Sequence, residues 1–193
     1  NPTITPGLLS AVAAAGFDAV RIPVTWSLHT GAGPAFTIDA AFMARVEEVV
    51  GYAHAAGLTA IINLHHDGAE GLAGAEWIKL EDASGNVTAE NNAAVMARFV
   101  AVWTQIATHF KDHGPGLLFE SMNEIHVGYD APDPAYYGVI NALNQKFVDV
   151  VRSTGAATPS STHWMEDGSR PWARSASAQS MPGCVKWFEG YGL

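Results

Sequence analysis

The segment LLFESMNEIH (residues 117–126) begins as an apolar run and ends in polar residues, where a buried strand would leave its sheet. Asn123 and Glu124 stand side by side at that exit. In a parallel sheet the carboxyl ends of all strands lie at one edge, where α/β proteins place their binding sites. If the rest of the chain forms such a sheet, these two residues predict a functional site.

Helical and strand-like patterns alternate over the first 155 residues. The apolar strand patterns cover residues 17–24, 58–64 and 116–122. The helical patterns begin near Thr5, Thr37, Thr88 or Asn91, and Asp133, and they end near Gly16, Gly57, Phe110 and Gly155. This alternation predicts a parallel sheet with right-handed crossovers, either an open doubly wound sheet or a barrel.

Residues 156–193 break the alternation, because they are rich in Ser, Ala, Pro and Gly and show no period of 2 or 3.6 residues. They also contain Trp164, Trp172 and Trp187, three of the six tryptophans, so they are not a simple polar linker. We therefore divide the chain into a domain at residues 1–155 and an aberrant or divergent tail at residues 156–193 that does not continue the fold.

Composition excludes several classes of partner and site. The formal charge of −9 without a basic cluster argues against a nucleic-acid or anionic-membrane partner. Cys184 is the only cysteine, which excludes an internal disulfide and a multi-cysteine metal site. No apolar run approaches the roughly 18 residues of a membrane span, and no glycine-rich phosphate loop is present. We expect no cofactor.

Each of the three strand patterns ends in polar residues. The first carries Arg21, the second ends in NLHHD (residues 63–67), and the third ends in Asn123 and Glu124. Arg21 alone could be a structural ion-pair partner of Glu120, and a single histidine is more often a core or surface residue. Polar residues at three buried strand ends together favour a shared functional cleft.

The chemistry of these residues favours proton transfer by a carboxylic acid. Glu124 could act as general acid to a glycosidic oxygen, while Asn123 holds a sugar hydroxyl. Adjacent strand residues point to opposite faces, so His65 and His66 argue against one shared metal ion, although a metal-dependent hydrolase stays an alternative. Trp26, like Trp77, could stack on a sugar ring or fill the core.

Three motifs resemble the strand-end motifs of glycoside hydrolase family 5, the cellulase family of retaining barrel enzymes. They are AVRIPVTW (residues 19–26), AIINLHHD (residues 60–67) and LLFESMNE (residues 117–124), in the family's order and spacing. The family usually has proline after Asn-Glu, where this chain has Ile125. The resemblance covers residues 3–155 and implies an incomplete (β/α)8 TIM barrel with about strands 2–4 and flanking helices.

The resemblance also implies roles for five residues. Glu124 would be the catalytic acid/base, and Asn123 would hold the 2-hydroxyl of the sugar. His65 would line the subsite beside the cleavage point, with His66 in support. Arg21 would orient the nucleophile and keep it ionised.

The family's nucleophile, a Glu on the seventh strand, has no counterpart here, because Glu166 and Glu189 lie in the tail outside any family motif. We therefore expect the amino-terminal half of a secreted, retaining enzyme, similar to an endo-β-1,4-glucanase, that acts on a β-linked polysaccharide. It would lack the carboxy-terminal half of its barrel and be nearly inactive alone. A non-catalytic glycan-binding fragment is a further alternative, and glucan, mannan and xylan are all candidate substrates.

Overall fold

The computed structural model describes residues 3–67, 76–82, 84–123, 125 and 134–156, and the segments 160–161 and 186–187. The helices are α1 (Pro6–Ala14), α2 (Ala40–Ala55), α3 (Ala89–His109) and α4 (Pro134–Ser153), with short 3₁₀ turns at Ser27–His29 and Gly114–Gly116. The strands are β1 (Ala19–Ile22), β2 (Thr59–Asn63), β3 (Leu117–Glu120), β4 (Ser160–Ser161) and β5 (Lys186–Trp187).

Side-chain caps fix where the two long central helices begin. The sequence predicted a start of α2 near Thr37, but the helix begins after Asp39, whose Oδ1 accepts a hydrogen bond from the Phe42 backbone N at 2.8 Å. Of the two predicted starts of α3 the structure has the first, since Thr88 Oγ1 accepts from the Asn91 backbone N at 3.2 Å. An acceptor at this position satisfies a helical N–H that has no partner within the helix.

The strands form a parallel sheet in the order β4-β3-β2-β1-β5. The register places Ile22 of β1 beside Ile62 of β2, and Ile62 beside Phe119 of β3. Successive long strands are therefore neighbours, with α2 connecting the first two and α3 the next two. The predicted alternation of helices with a parallel sheet is confirmed.

The two faces of the sheet differ in chemistry. The helical layer covers one face of the sheet. The side chains on that face are buried and belong to the hydrophobic core: Val20, Ile22, Ala60, Ile62, Leu117 and Phe119. The opposite face carries Arg21, Asn63 and Glu120 near the carboxyl edge, and the half-buried Ile61 and Leu118 deeper in the sheet. Because side chains alternate along a strand, one sheet can pack a core on one face and present polar groups on the other.

Aromatic packing joins the helical layer to the end of β3. The Trp103 ring of α3 lies 4.6 Å from the Phe147 ring of α4 and 5.8 Å from Phe119. Its indole Nε1 donates to the Ser121 backbone O at 2.9 Å, directly after β3. A buried indole N–H needs such a partner, and this bond fixes α3 against the strand that leads to Asn123.

Two short pairs differ from the prediction that the tail does not continue the fold. Ser160 and Ser161 pair in parallel with β3, and Lys186 and Trp187 pair in parallel with β1. The outer strands of a three-stranded sheet present unpaired backbone groups that an extended segment can satisfy. Most of residues 156–193 lie outside the described residues, so the boundary at residue 155 stays a prediction.

Within the part of the chain that the structure describes, none of the helices combines the length and the apolar character that crossing a membrane requires.

We predict that Asp39→Ala lowers the free energy of unfolding by about 1 kcal/mol, because the Phe42 N–H loses its capping acceptor. Asp39→Asn should leave the stability nearly unchanged, since asparagine caps helices about as well. Urea denaturation followed by circular dichroism measures both. Equal losses in the two variants would show that the cap does not stabilise α2.

Candidate active site

Five polar side chains meet at the carboxyl edge of the sheet, and we call them the Arg21 cluster. They come from β1, from β2 and the residues after it, and from β3 and the residues after it, and they are Arg21, Asn63, His65, Glu120 and Asn123. All are buried except Asn123, which is half-buried. The predicted convergence of the three strand ends is thus confirmed by the geometry, whereas the roles of these residues stay predictions.

The guanidinium of Arg21 is the centre of this cluster. Its Nε donates to Glu120 Oε2 at 2.5 Å, and the two side chains are 4% and 8% exposed. Its Nη2 donates to Asn123 Oδ1 at 2.9 Å. The ion pair with Glu120 that the sequence suggested is therefore present, and the same cation also orients the amide beside it. A charge this deeply buried is tolerated only when paired and hydrogen-bonded.

The contacts of His65 determine its tautomer. Its Nδ1 lies 3.3 Å from Asn63 Nδ2 and 3.4 Å from Arg21 Nη1, and both of these nitrogens can only donate. The Asn63 amide is oriented in this way because its Oδ1 accepts from the Val24 backbone N at 3.4 Å. Nδ1 is consequently the acceptor, and the proton of the neutral imidazole resides on Nε2, which can donate.

His66 lies beside His65 and is held from the other side. Its Nδ1 lies 2.6 Å from Thr25 Oγ1, in the loop after β1. The two imidazole rings are 4.6 Å apart and nearly perpendicular, so the two side chains do not point to opposite faces as the strand pattern predicts. Both residues follow the last residue of β2, and strict alternation applies only within a regular strand. Among the described residues, no group of three or more His, Cys, Asp or Glu side chains is arranged to hold a metal ion.

Trp26 does not have the position expected of a sugar-stacking residue. Its ring is 1% exposed, packs edge-on against Phe42 at 5.6 Å, and donates its Nε1 to the Asn63 backbone O at 2.9 Å. The substrate-binding role predicted for Trp26 is therefore wrong, since an apolar ring after a buried strand has been recruited to the core. Trp77 is half-buried, and the Arg98 guanidinium lies 4.6 Å from its ring centroid.

Sequence reasoning gave no role to three residues that shape this edge. Asn63 and Asp67 flank the histidine pair, and that position was the available signal. Thr25 carried no signal, because its bond to His66 joins residues 41 positions apart. Asp67 is fully buried, and burial raises the pKa of its carboxyl group to about 6, against the opposing effects of the Trp77 indole N–H and the Arg98 charge.

Glu124, the predicted acid/base, lies outside the described residues, as do Glu166 and Glu189. Asn123, which precedes Glu124, is held by its backbone: its N donates to the Leu64 backbone O at 2.7 Å, between the ends of β3 and β2. The assignment of Glu124 therefore stays a prediction from the motif.

We predict that Arg21→Met lowers the free energy of unfolding by about 3 to 5 kcal/mol, because Glu120 becomes a buried charge without its cation. The double variant Arg21→Met with Glu120→Leu should be more stable than either single variant, since it removes both charges. A double-mutant cycle in urea measures the coupling. Additive losses would contradict an energetically coupled pair.

Comparison with known proteins places the chain in a family. The sequence matches the family described as "Cellulase (glycosyl hydrolase family 5)" over residues 1–180. It is 42% identical over 156 residues to Endoglucanase A of Paenibacillus barcinonensis, an alignment that covers 80% of this chain and 37% of that protein. The match to the family extends beyond residue 155, where the resemblance noted from the motifs ended.

Solved structures of the same family are also similar to this chain. A GH5-4 broad specificity endoglucanase from Bacteroides salanitronis is 48% identical with a TM-score of 0.73, covering 81% of this chain and 42% of that chain. A family 5 xyloglucanase from Paenibacillus pabuli is 44% identical with a TM-score of 0.72, and the match covers 81% of this chain and 42% of that chain. This chain thus spans about two fifths of the length of these relatives. Such neighbours imply a (β/α)8 barrel, of which the described residues form a partial α/β unit, and the chain belongs to glycosyl hydrolase family 5.

Proposed function

We propose that this chain forms part of a β-glycosidase that hydrolyses O-glycosidic bonds in a β-linked polysaccharide, in the manner of an endo-β-1,4-glucanase and with retention of configuration. The observation that carries the proposal is the Arg21 cluster, a set of oriented polar side chains at the carboxyl edge of a family 5 sheet. Relatives named as endoglucanases and as a xyloglucanase support a β-glucan substrate.

The orientation of Asn123 suits a sugar-binding role. Its Oδ1 accepts from Arg21 Nη2, so its Nδ2 is the group that can donate to a sugar hydroxyl. In retaining glycosidases, hydrogen bonds to the 2-hydroxyl strengthen in the transition state. Together with distortion of the sugar ring, they lower the activation free energy by roughly several kcal/mol. Glu124, the next residue, would then protonate the glycosidic oxygen and later activate water.

The other members of the cluster supply donors and charge around that carboxyl group. His65 donates from Nε2 in the tautomer fixed by Asn63, and His66, anchored by Thr25, supports the same edge. Arg21 is a buried cation whose charge would favour the ionised form of a nearby nucleophile. In a retaining enzyme that second carboxylate lies about 5 to 5.5 Å from the acid/base.

We propose that the carboxy-terminal half of the barrel supplies the nucleophile and covers the half-buried Ile61 and Leu118 on the inner face of the sheet. The chain spans about two fifths of its relatives, which supports this division of the site. Alone, it should be nearly inactive. Because a polysaccharide is too large to enter a cell, we place the enzyme outside the cell.

The experiment that tests this proposal is complementation. We would mix this chain with the remaining carboxy-terminal part of Endoglucanase A from Paenibacillus barcinonensis and measure reducing ends released from β-glucan and xyloglucan. We expect hydrolysis by the mixture and almost none by either part. Glu124→Gln should lower the rate of the mixture on the order of 10² to 10⁴-fold, because the general acid is lost.

Glu90→Gln is the matched control, since Glu90 is an exposed carboxylate in the first turn of α3. It should leave hydrolysis by the mixture unchanged. Full activity of Glu124→Gln would refute the acid/base assignment. Glycan binding by the mixture without turnover would favour a non-catalytic fragment, and turnover that requires added zinc would favour a metal-dependent hydrolase.

A further inference from the structure

Asp67 ties the end of the β2 segment to a second stretch of chain. Its backbone O accepts hydrogen bonds from the backbone N atoms of Trp77 and Ile78, both at 2.8 Å. Its side-chain Oδ1 accepts from Trp77 Nε1 at 2.5 Å. One residue thus makes three hydrogen bonds to residues 77–78, and it stands directly after His66.

The anchored indole in turn contacts two further elements through Arg98. The Arg98 guanidinium of α3 lies 4.6 Å from the centroid of the Trp77 ring and 5.4 Å from that of Phe36. Phe36 belongs to the loop after β1, and Trp77 to the loop after β2. A cation close to aromatic rings from both loops links the two loops to α3.

The same stretch also contacts the loop after β1. Thr25 Oγ1 lies 2.6 Å from His66 Nδ1, and Trp26 Nε1 donates to the Asn63 backbone O at 2.9 Å. His65 and His66 therefore lie in a segment that is hydrogen-bonded both to the loop after β1 and to residues 77–78. Loss of either anchor would free the segment on one side.

This anchor uses a costly group. Asp67 is fully buried, and its Oδ2 accepts no side-chain or backbone hydrogen bond within the described residues that meets normal geometry. The Trp77 indole N–H and the positive charge of Arg98 favour the ionised carboxylate. The backbone N–H groups of Ser27 and Trp26 favour it more weakly. Burial outweighs them, so that the pKa of the carboxyl group is raised to about 6.

A neutral side chain could fill this space at lower cost, and carboxyl groups perturbed by burial cluster at functional sites. We propose that Asp67 is a positioning residue: its carboxylate anchors Trp77 and thereby holds His65 and His66 at the carboxyl edge of the sheet. The inference deepens the function proposed above and rests on it, because it assigns a new residue to the same site.

The pH dependence has a definite sign. The folded protein holds the Asp67 proton more tightly than the unfolded chain, whose carboxyl group has a pKa of about 3.9. The contribution of Asp67 to stability is therefore most favourable below about pH 4 and declines as the pH rises through about 6. Over the same interval the acceptor of the Trp77 indole changes from a neutral carboxyl group to a carboxylate, so the environment of the indole N–H should change with pH.

Nuclear magnetic resonance tests the anchor without requiring turnover. The indole N–H signal of Trp77, assigned by its absence in Trp77→Phe, should titrate between about pH 4.5 and 8 with a midpoint near 6. In Asp67→Asn this titration should vanish, and the ring signals of His65 and His66 should shift. Trp77→Phe should move the same histidine signals, which keeps the test available if Asp67→Asn does not fold.

Glu47→Gln is the matched control, because Glu47 is also a carboxylate that is hydrogen-bonded to ring nitrogens, those of His109 and His113, but in the helical layer. It should leave the His65 and His66 signals unchanged. A Trp77 signal that does not titrate, or histidine signals identical in the wild type and both Asp67→Asn and Trp77→Phe, would overturn the proposal.

A second measurement separates this proposal from the proposed function. In the complemented enzyme, Asp67→Asn should lower kcat more than it changes KM and should shift the acidic limb of the pH profile. A complemented wild-type mixture without hydrolysis would refute the proposed function while leaving the Trp77 titration to decide the anchor. Hydrolysis with an unchanged pH profile in Asp67→Asn would overturn the positioning role.

Discussion

The buried guanidinium of Arg21 is the constraint on which the sheet edge depends. It contacts Glu120, Asn123 and His65, so one side chain from β1 reaches residues of β3 and the segment after β2. A cation removed from water requires every one of these partners, since each unpaired group would cost several kcal/mol. The contacts of Arg21 thus hold the three strand ends in one arrangement, and losing them would strongly destabilise the fold.

This arrangement also sets the chemistry of the edge. Glu120 balances the charge of Arg21, and the Nη2 nitrogen of the same guanidinium orients the amide of Asn123. The side-chain amide of Asn63 likewise orients His65, because its Nδ2 donates to His65 Nδ1 and thereby selects the tautomer. Groups whose orientation is fixed before substrate binds need little reorganisation during reaction, which is the main electrostatic advantage of an enzyme site.

Loop anchoring extends the same logic outward from the sheet. The loop after β1 contributes Thr25 to His66 and the Trp26 indole to the Asn63 backbone, while Asp67 binds Trp77. Trp26 and Trp77 both use their indole N–H as structural donors. Aromatic residues near a predicted cleft are thus not automatically surfaces for sugar stacking, because a buried N–H needs an acceptor wherever it lies.

The sequence by itself determined the alternation of helices and strands, the glycines that follow α1, α2 and α4, and the convergence of Arg21, His65 and Asn123, since periodicity and parallel strand geometry imply them. The start of α2 lies after Asp39 and not near Thr37, because Asp39 is the residue that caps the helix. Only the tertiary structure decided that Arg21 pairs with Glu120, that Trp26 is buried, and that Asp67 holds Trp77. The physical reason is range: patterns report neighbours along the chain, whereas Arg21 and Glu120 are 99 positions apart and meet only through packing.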